Sequence, residues 1–163
     1  MTTSNLFSEK SKTKSPLFIF SISQWNACSL CDYSKIDFVR SINSHIVAIQ
    51  EIRNHQDMLD SCGYCFDFSL RTNQIGGGTS TFESQHKSIQ ILQRITVNKD
   101  TNLLKLCMNG NILWFSNVYL HDSEPKRVQK LFAKIQKFVP DNELSQILLI
   151  GDFNIDILKE SEK

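Results

Sequence analysis

The 163-residue sequence is short of residues that break or staple a chain, with three prolines, six glycines and five cysteines. So little Pro and Gly excludes a collagen-like or Pro/Gly-rich low-complexity chain. An odd cysteine count, in a chain long enough to bury a core without staples, argues for reduced thiols over a disulfide framework. No apolar run approaches the ~20 residues that span a bilayer as a helix, so no membrane association is expected. Net charge is nearly absent, with 18 Lys and Arg against 17 Asp and Glu. Attraction to a polyanion must therefore come from where charges sit and not from their total. What is present, 40% hydrophobic and 21% charged residues, is the composition of a globular domain.

Lys10, Lys12 and Lys14 ahead of Leu17–Ile22 imitate a secretory leader, but Ser21, Ser23, Gln24 and Asn26 end the apolar stretch too early. The expected compartment is nuclear or cytoplasmic, not secreted. Residues Met1–Ser15 are polar and aperiodic and read as a disordered tail, with one domain portion from Pro16 to Lys163.

From Pro16 the pattern is strands alternating with helices. Phe18–Trp25 is rich in branched and aromatic residues and predicts a strand. Ser34 with Asp37 has capping-box spacing, and Ile36, Val39 and Ile42 follow at helical intervals, predicting a helix over Ser34–Asn43. His45–Ile49 predicts a buried strand, parallel to the first through a right-handed crossover. Asn54–Asp60 predicts a helical turn closed by Gly63. Tyr64–Leu70, Thr79–Phe82, Ile89–Leu92 and Leu103–Met108 predict strands that continue one sheet, and Asn109-Gly110 is a hairpin turn into Ile112–Leu120. Val128, Leu131, Phe132, Ile135, Phe138 and Val139 make the clearest helical stripe, with Ser123 as cap, Pro125 in the first turn and Pro140 as stop. Gln146–Ile150 predicts a last strand.

Four of these strands end in polar residues: Asn26; Gln50-Glu51; Asn117 and Tyr119; and Gly151-Asp152-Phe153-Asn154. Parallel pairing brings such ends to one rim, where α/β proteins place their ligands. The carboxylates and amides among them offer hard oxygen ligands for Mg²⁺ and hydrogen bonds for phosphate, and a phenol can donate to a developing oxyanion.

In order, Trp25-Asn26, Ile49-Gln50-Glu51, Gly76-Gly77-Gly78-Thr79, Asn117-Val118-Tyr119 and Gly151-Asp152-Phe153-Asn154 resemble the successive motifs of the endonuclease/exonuclease/phosphatase superfamily, from about Leu17 to Asn154. The Gly76–Thr79 run with Asn117–Leu120 is most similar to the endonuclease domain of non-LTR retrotransposons. The resemblance implies an α/β fold, a four-layer α/β/β/α sandwich of the DNase I-like type with mixed sheet, here incomplete. It also implies Mg²⁺-dependent hydrolysis of a DNA phosphodiester, with Mn²⁺ able to serve. Glu51 would ligate the metal, and Asn26 would support that site and the phosphate. Tyr119 would hydrogen-bond the scissile phosphate, Asp152 would orient or activate the attacking water, and Asn154 would steady the pentacovalent oxygens.

Members of that superfamily continue to a second carboxylate pair and a Ser-Asp-His motif, and none of His45, His55, His86 or His121 occupies that place. The expectation is a fragment, inactive or nearly so alone, completed by a downstream polypeptide that also supplies much of the second sheet and covers an apolar face. The alternatives are a non-catalytic nucleic-acid-binding remnant and a superfamily phosphatase acting on small phosphoesters. Lys126, Lys130, Lys134 and Lys137 form a basic stripe that suits either an anionic partner or plain solvation. Cys28-x-x-Cys31 and Cys62-x-x-Cys65 have paired spacing, but their wide separation and expected placement at opposite rims argue against zinc. Cys107 is expected in the core.

Overall fold

The computed structural model describes residues 20–29, 32–52, 64–69, 78–83, 89–98, 101–120 and 125–154. The expected tail, the Asn54–Asp60 turn, Gly76, Gly77, Cys31, Cys62, the Ser123 cap and three of the four histidines (His55, His86, His121) lie outside the described residues.

Eight strands form two mixed four-stranded sheets. The first contains β1 (Ile22–Asn26), β2 (Ile46–Gln50), β3 (Tyr64–Ser69) and β4 (Thr79–Glu83), in the order β1-β2-β4-β3. The second contains β5 (Ile89–Asn98), β6 (Thr101–Met108), β7 (Asn111–Tyr119) and β8 (Ile147–Asp152), in chain order. Each sheet has one parallel pair made by a helical crossover: β1 with β2 through α1 (Tyr33–Ser41), and β7 with β8 through α2 (Pro125–Gln136). Asn109 and Gly110 both adopt positive φ, 50° and 81°, as a primed two-residue hairpin turn between β6 and β7 requires.

Strand alternation sorts the core into three layers of contact. Ile46 and Ala48 of the first sheet face Leu104, Leu106, Met108 and Phe115 of the second. On the outer face of the first sheet, Val47 and Ile49 take Ile36 and Val39 of α1. On the outer face of the second, Leu103, Trp114 and Val118 take Leu131 and Ile135 of α2 and Val139 just after it. The result is the expected α/β/β/α sandwich. One expectation is corrected: β5 does not continue the first sheet but opens the second, so the chain itself supplies four strands that cover the first sheet's inner face.

Local corrections are smaller. Asp32, not Ser34, caps α1: its carboxylate accepts the Lys35 N–H at 2.9 Å, and the Ser34 hydroxyl donates to the same carboxylate. These bonds, Ser34's first, hold Asp32 below the usual carboxylate range. Helix α2 stops at Gln136 and tightens through i→i+3 bonds from Lys137 and Phe138. Only the line Leu131, Ile135 and Val139 is buried, while Phe132 and Phe138 at its flanks are exposed. Cys107 is half-buried and not core, because it shares the outward parity of the half-buried Lys105 on β6. Among the described residues no helix is long and apolar enough to cross a membrane.

Candidate active site

The face shared by the two sheets changes character along the strands. In β1 the inward positions run Ile22, Gln24, Asn26, and in β2 they run Ile46, Ala48, Gln50. In β7 the run Phe115, Asn117, Tyr119 and in β8 the run Leu148, Ile150, Asp152 do the same. Period-two alternation therefore carries polar groups to one rim without breaking the pattern that buries the core. Registry aligns them, since Asn26 pairs with Gln50 and Tyr119 with Asp152.

Glu51 is the exception to alternation. Continuing β2 it would point outward, but its φ of 56° turns the chain and brings the carboxylate to the inter-sheet rim. Among the described residues five non-glycines have positive φ, and four of them, Cys28, Ser29, Glu51 and Asn154, lie at this rim. Backbone strain of order 1–3 kcal/mol per residue persists only where the surroundings fix it. Here Ala27 N–H donates to Gln50 O at 3.0 Å, Ser29 N–H to Glu51 O at 2.7 Å and Cys28 N–H to Asn26 Oδ1 at 3.1 Å. The Lys35 ammonium, reaching back from α1, donates to Ala27 O at 2.8 Å and Ser29 O at 2.7 Å.

Four of the five expected site residues meet side chain to side chain. Asn26 Nδ2 donates to Glu51 Oε1 at 3.0 Å and to Asp152 Oδ2 at 2.8 Å, bridging carboxylates from the two sheets. Tyr119 OH donates to the same Glu51 Oε1 at 3.1 Å. Asn154 joins through its backbone, whose N–H donates to Asp152 Oδ1 at 2.9 Å, while its side chain is turned to Leu120 O at 2.6 Å. Gly151 makes the approach of β8 to β7 possible: at its φ of 145° a Cβ would sit 1.9 Å from Val118 O. The close packing of the two strands is what requires a glycine here.

The donor chemistry fits a hard divalent cation. The described hydrogen bonds engage Glu51 through Oε1, and both carboxylates are partly open to solvent. Mg²⁺ commonly takes one or two carboxylates and completes its shell with water and substrate phosphate. Among the described residues no three His, Cys, Asp or Glu side chains are grouped so as to hold a metal ion. His45 lies at the opposite end of β2, where its Nδ1 meets the Ser21 hydroxyl at 3.0 Å. Sequence reasoning missed Gln24 and Lys35. Gln24 carried a signal, as a polar residue on the inward parity between Ile22 and Asn26, whereas nothing in the sequence marks Lys35.

No sequence-family model matches the chain, and no curated protein sequence does. Solved structures match it. A mannosyl-6-phosphatase of Bacteroides thetaiotaomicron superposes with TM-score 0.61 at 15% identity, covering 86% of this chain and 67% of that one. An endonuclease/exonuclease/phosphatase family protein of the same bacterium gives 0.60 at 14%, covering 85% and 64%. TDP2 of D. rerio, complexed with single-strand DNA product, gives 0.57 at 16%, covering 87% and 63%. The chain thus spans about two thirds of the length of these structures. At such identities the likeness is one of architecture: the chain has the DNase I-like fold of the endonuclease/exonuclease/phosphatase proteins.

Proposed function

We propose that the chain carries the metal- and phosphate-binding part of a Mg²⁺-dependent phosphodiesterase that cleaves DNA, of the retroelement endonuclease type its motifs resemble. The observation that carries this reading is the bridge from Asn26 to both Glu51 and Asp152, with Tyr119 on the same Glu51 oxygen. A bound Mg²⁺ or Mn²⁺ would neutralise charge on the phosphate and polarise it. Glu51 would hold that cation, and Asn26 and Tyr119 fix the Glu51 carboxylate beforehand. With substrate present, Tyr119 OH exchanges its Glu51 bond for a phosphate oxygen. Asp152, oriented by Asn26 and the Asn154 backbone, would accept a proton from the attacking water as its oxygen bonds to phosphorus and the opposite P–O bond breaks, the leaving oxygen taking a proton from solvent, and the Asn154 amide would steady the equatorial oxygens once released from Leu120 O. In this reading the Ser-Asp-His motif of the superfamily that the chain resembles would come from a further polypeptide, adding a positioned acid–base group that typically contributes ~10²–10⁴-fold in rate.

The test is incubation of the purified 163-residue chain with Mg²⁺ and supercoiled plasmid, alone and with the completing segment of a related endonuclease. Weak nicking alone, restored by the segment and abolished by Glu51→Ala, supports the reading. Nicking that survives Glu51→Ala removes it. A second reading, a phosphatase for small phosphoesters, is favoured by the mannosyl-6-phosphatase neighbour. Release of phosphate from hexose 6-phosphates with no effect on plasmid would select it.

A further inference from the structure

Directly behind the carboxylates the two sheets meet through amides and not through hydrocarbon. Gln50 is fully buried and Asn117 nearly so. Gln50 Nε2 donates to Asn117 Oδ1 across the inter-sheet gap at 2.6 Å. Asn117 Nδ2 donates in turn to Ile49 O at 3.1 Å and Ser80 O at 2.9 Å, with Thr81 Oγ1 at 3.4 Å. On the other side Gln50 Oε1 accepts from Gln24 Nε2 at 2.7 Å. One Asn of the second sheet is thus tied to β2 and β4 of the first, and its partner Gln50 is tied to β1.

A neighbouring layer of the same interface is filled by Ile46, Ala48 and Phe115, so apolar side chains suit this space. Apolar contacts set no direction, and packed faces can slide by fractions of an ångström. A hydrogen bond has a preferred length and angle. Gln50 immediately precedes Glu51, and Asn117 stands two residues before Tyr119 on the same face, with Tyr119 in register with Asp152. The amide link is therefore one residue from the carboxylate on the first sheet and one pleat from the groups that face it on the second.

We infer that Gln50 and Asn117 are positioning residues: their side-chain bond sets the gap between the sheets and thereby the separation of Glu51 from Tyr119 and Asp152. This rests on the reading that these groups hold a divalent cation, and it names what holds them. Neither residue touches substrate or metal.

The experiment uses Mn²⁺ alone as probe, with affinity read by the electron paramagnetic resonance of free Mn²⁺. The metal-free protein is read in parallel by NMR exchange of the Asn26 Nδ2 protons and the Leu120 and Ala27 amides, which sit on either side of the gap. Replacing both partners, Gln50→Leu with Asn117→Leu, removes the bond without stranding one buried amide against the other. The expected result is Mn²⁺ binding weakened ~10–100-fold, the range seen when outer partners of metal ligands are lost. Asn26 side-chain exchange should rise at least tenfold. Exchanging the two residues, Gln50→Asn with Asn117→Gln, keeps the summed length and the amide bond. It should hold affinity within about threefold of the parent, whereas Gln50→Asn alone, one methylene short, should not. If the leucine pair fails to fold, this exchange against its single variant decides the matter. Val139→Ala, a cavity in the outer-face core just past the end of α2, controls for general loosening and should leave Mn²⁺ affinity unchanged. Asn26 exchange and Mn²⁺ affinity both unmoved in the leucine pair, or equal loss in Val139→Ala, would overturn the inference. A parent chain that binds no Mn²⁺ would instead remove the proposed function, and the metal-free exchange would still judge the link.

Discussion

Apart from the rim contacts of Asn26 and Tyr119, two polar bridges join the sheets among the described residues, and they are made of different chemistry. Beside the rim the bridge is neutral: Gln24, Gln50 and Asn117 exchange amide hydrogen bonds and do not titrate. At the other edge Asp67 of β3 accepts from Asn102 Nδ2 of β6 at 3.1 Å and lies 3.7 Å from the Arg94 guanidinium of β5. Burial pushes the Asp67 carboxyl up from its ordinary value, against the lowering effects of Arg94 and Asn102. Asp67 is 4% exposed while the Arg94 side chain is 45% exposed, so the partner stays solvated and compensates the carboxylate only in part. A bridge of amides keeps one geometry at every pH. A bridge that includes a buried carboxylate stabilises the fold less as that group ionises, because desolvation of the charge outweighs the attraction of Arg94 and Asn102, and it stands away from the rim of Glu51 and Asp152.

The strongest way to break the rim is through the backbone that builds it. Gly151→Ala forces a Cβ onto Val118 O in a conformation that L side chains rarely adopt. Strain and overpacking each commonly cost ~1–3 kcal/mol, so a loss of about 3 kcal/mol or more is expected in urea unfolding. A midpoint within error of the parent would mean that β8 does not pack on β7 at this register. Glu51→Ala separates function from stability at the same rim. Mn²⁺ affinity should fall at least ~100-fold, the upper end of the loss seen on removing mere outer partners of a ligand. Unfolding free energy should move by no more than about 0.5 kcal/mol, because the residue is partly exposed and Asn26 keeps Asp152 as acceptor.

Much of this rim was legible in the sequence because period-two alternation survives to the ends of the strands. Ile22 to Asn26 and Ile46 to Gln50 pass from apolar to polar on one face, and Asn109-Gly110 fixes where β7 begins. The helical crossovers then fix which strand ends meet. Two kinds of information were not legible. The change of sheet between β4 and β5 leaves no local mark, since a strand's own pattern is the same whichever neighbour it pairs with. The turn at Glu51 is also hidden, because its left-handed φ is imposed by Ser29 N–H and the Lys35-braced loop, a long-range effect on a residue type with no preference for it. The overestimate of buried area on α2 has a simpler cause. A stripe read at i, i+3 and i+4 includes flanking positions such as Phe132, which the packing against the second sheet leaves exposed.

The far bridge gives the next effect in size. Asp67→Asn keeps an oxygen for Asn102 and removes the buried charge. The wild-type carboxyl has a folded-state pKa above its unfolded value of 3.8. Its favourable contribution is therefore full below about pH 3.8 and is lost as pH rises through the folded pKa. The variant should match the parent in urea midpoint at pH 3. It should exceed it at pH 7.5 by up to about 1 kcal/mol, the low end of gains seen when buried ion pairs are replaced. A variant less stable at pH 7.5 would show that the attraction of Arg94 outweighs desolvation.

The smallest expected effect has the opposite sign and lies on the outer face of the second sheet. Glu143, in the 3₁₀ turn Asp141–Gln146 before β8, accepts from Lys105 Nζ at 2.9 Å and from the buried Trp114 indole N–H at 2.6 Å. The bonds from Lys105 and then Trp114 hold its carboxyl below the ordinary value of 4.5. Its contribution is present above about pH 4.5 and fades as pH falls through the folded pKa. Glu143→Gln retains an acceptor for the indole and forfeits only the ionic partner of Lys105, whose ammonium also sits 5.1 Å above the Trp114 ring. The variant should therefore be slightly less stable than the parent at pH 7, equal to it at pH 3, and unchanged in Trp114 fluorescence maximum. Measured together, Asp67→Asn and Glu143→Gln should bend the pH–stability profile in opposite senses while the amide-bridged rim, followed by Asn26 side-chain protection relative to the intrinsic exchange rate at each pH, stays fixed between pH 5 and 8. Rim exchange that tracked either titration would mean that the layers are coupled, and that the neutral bridge does not insulate the carboxylates from the charged one.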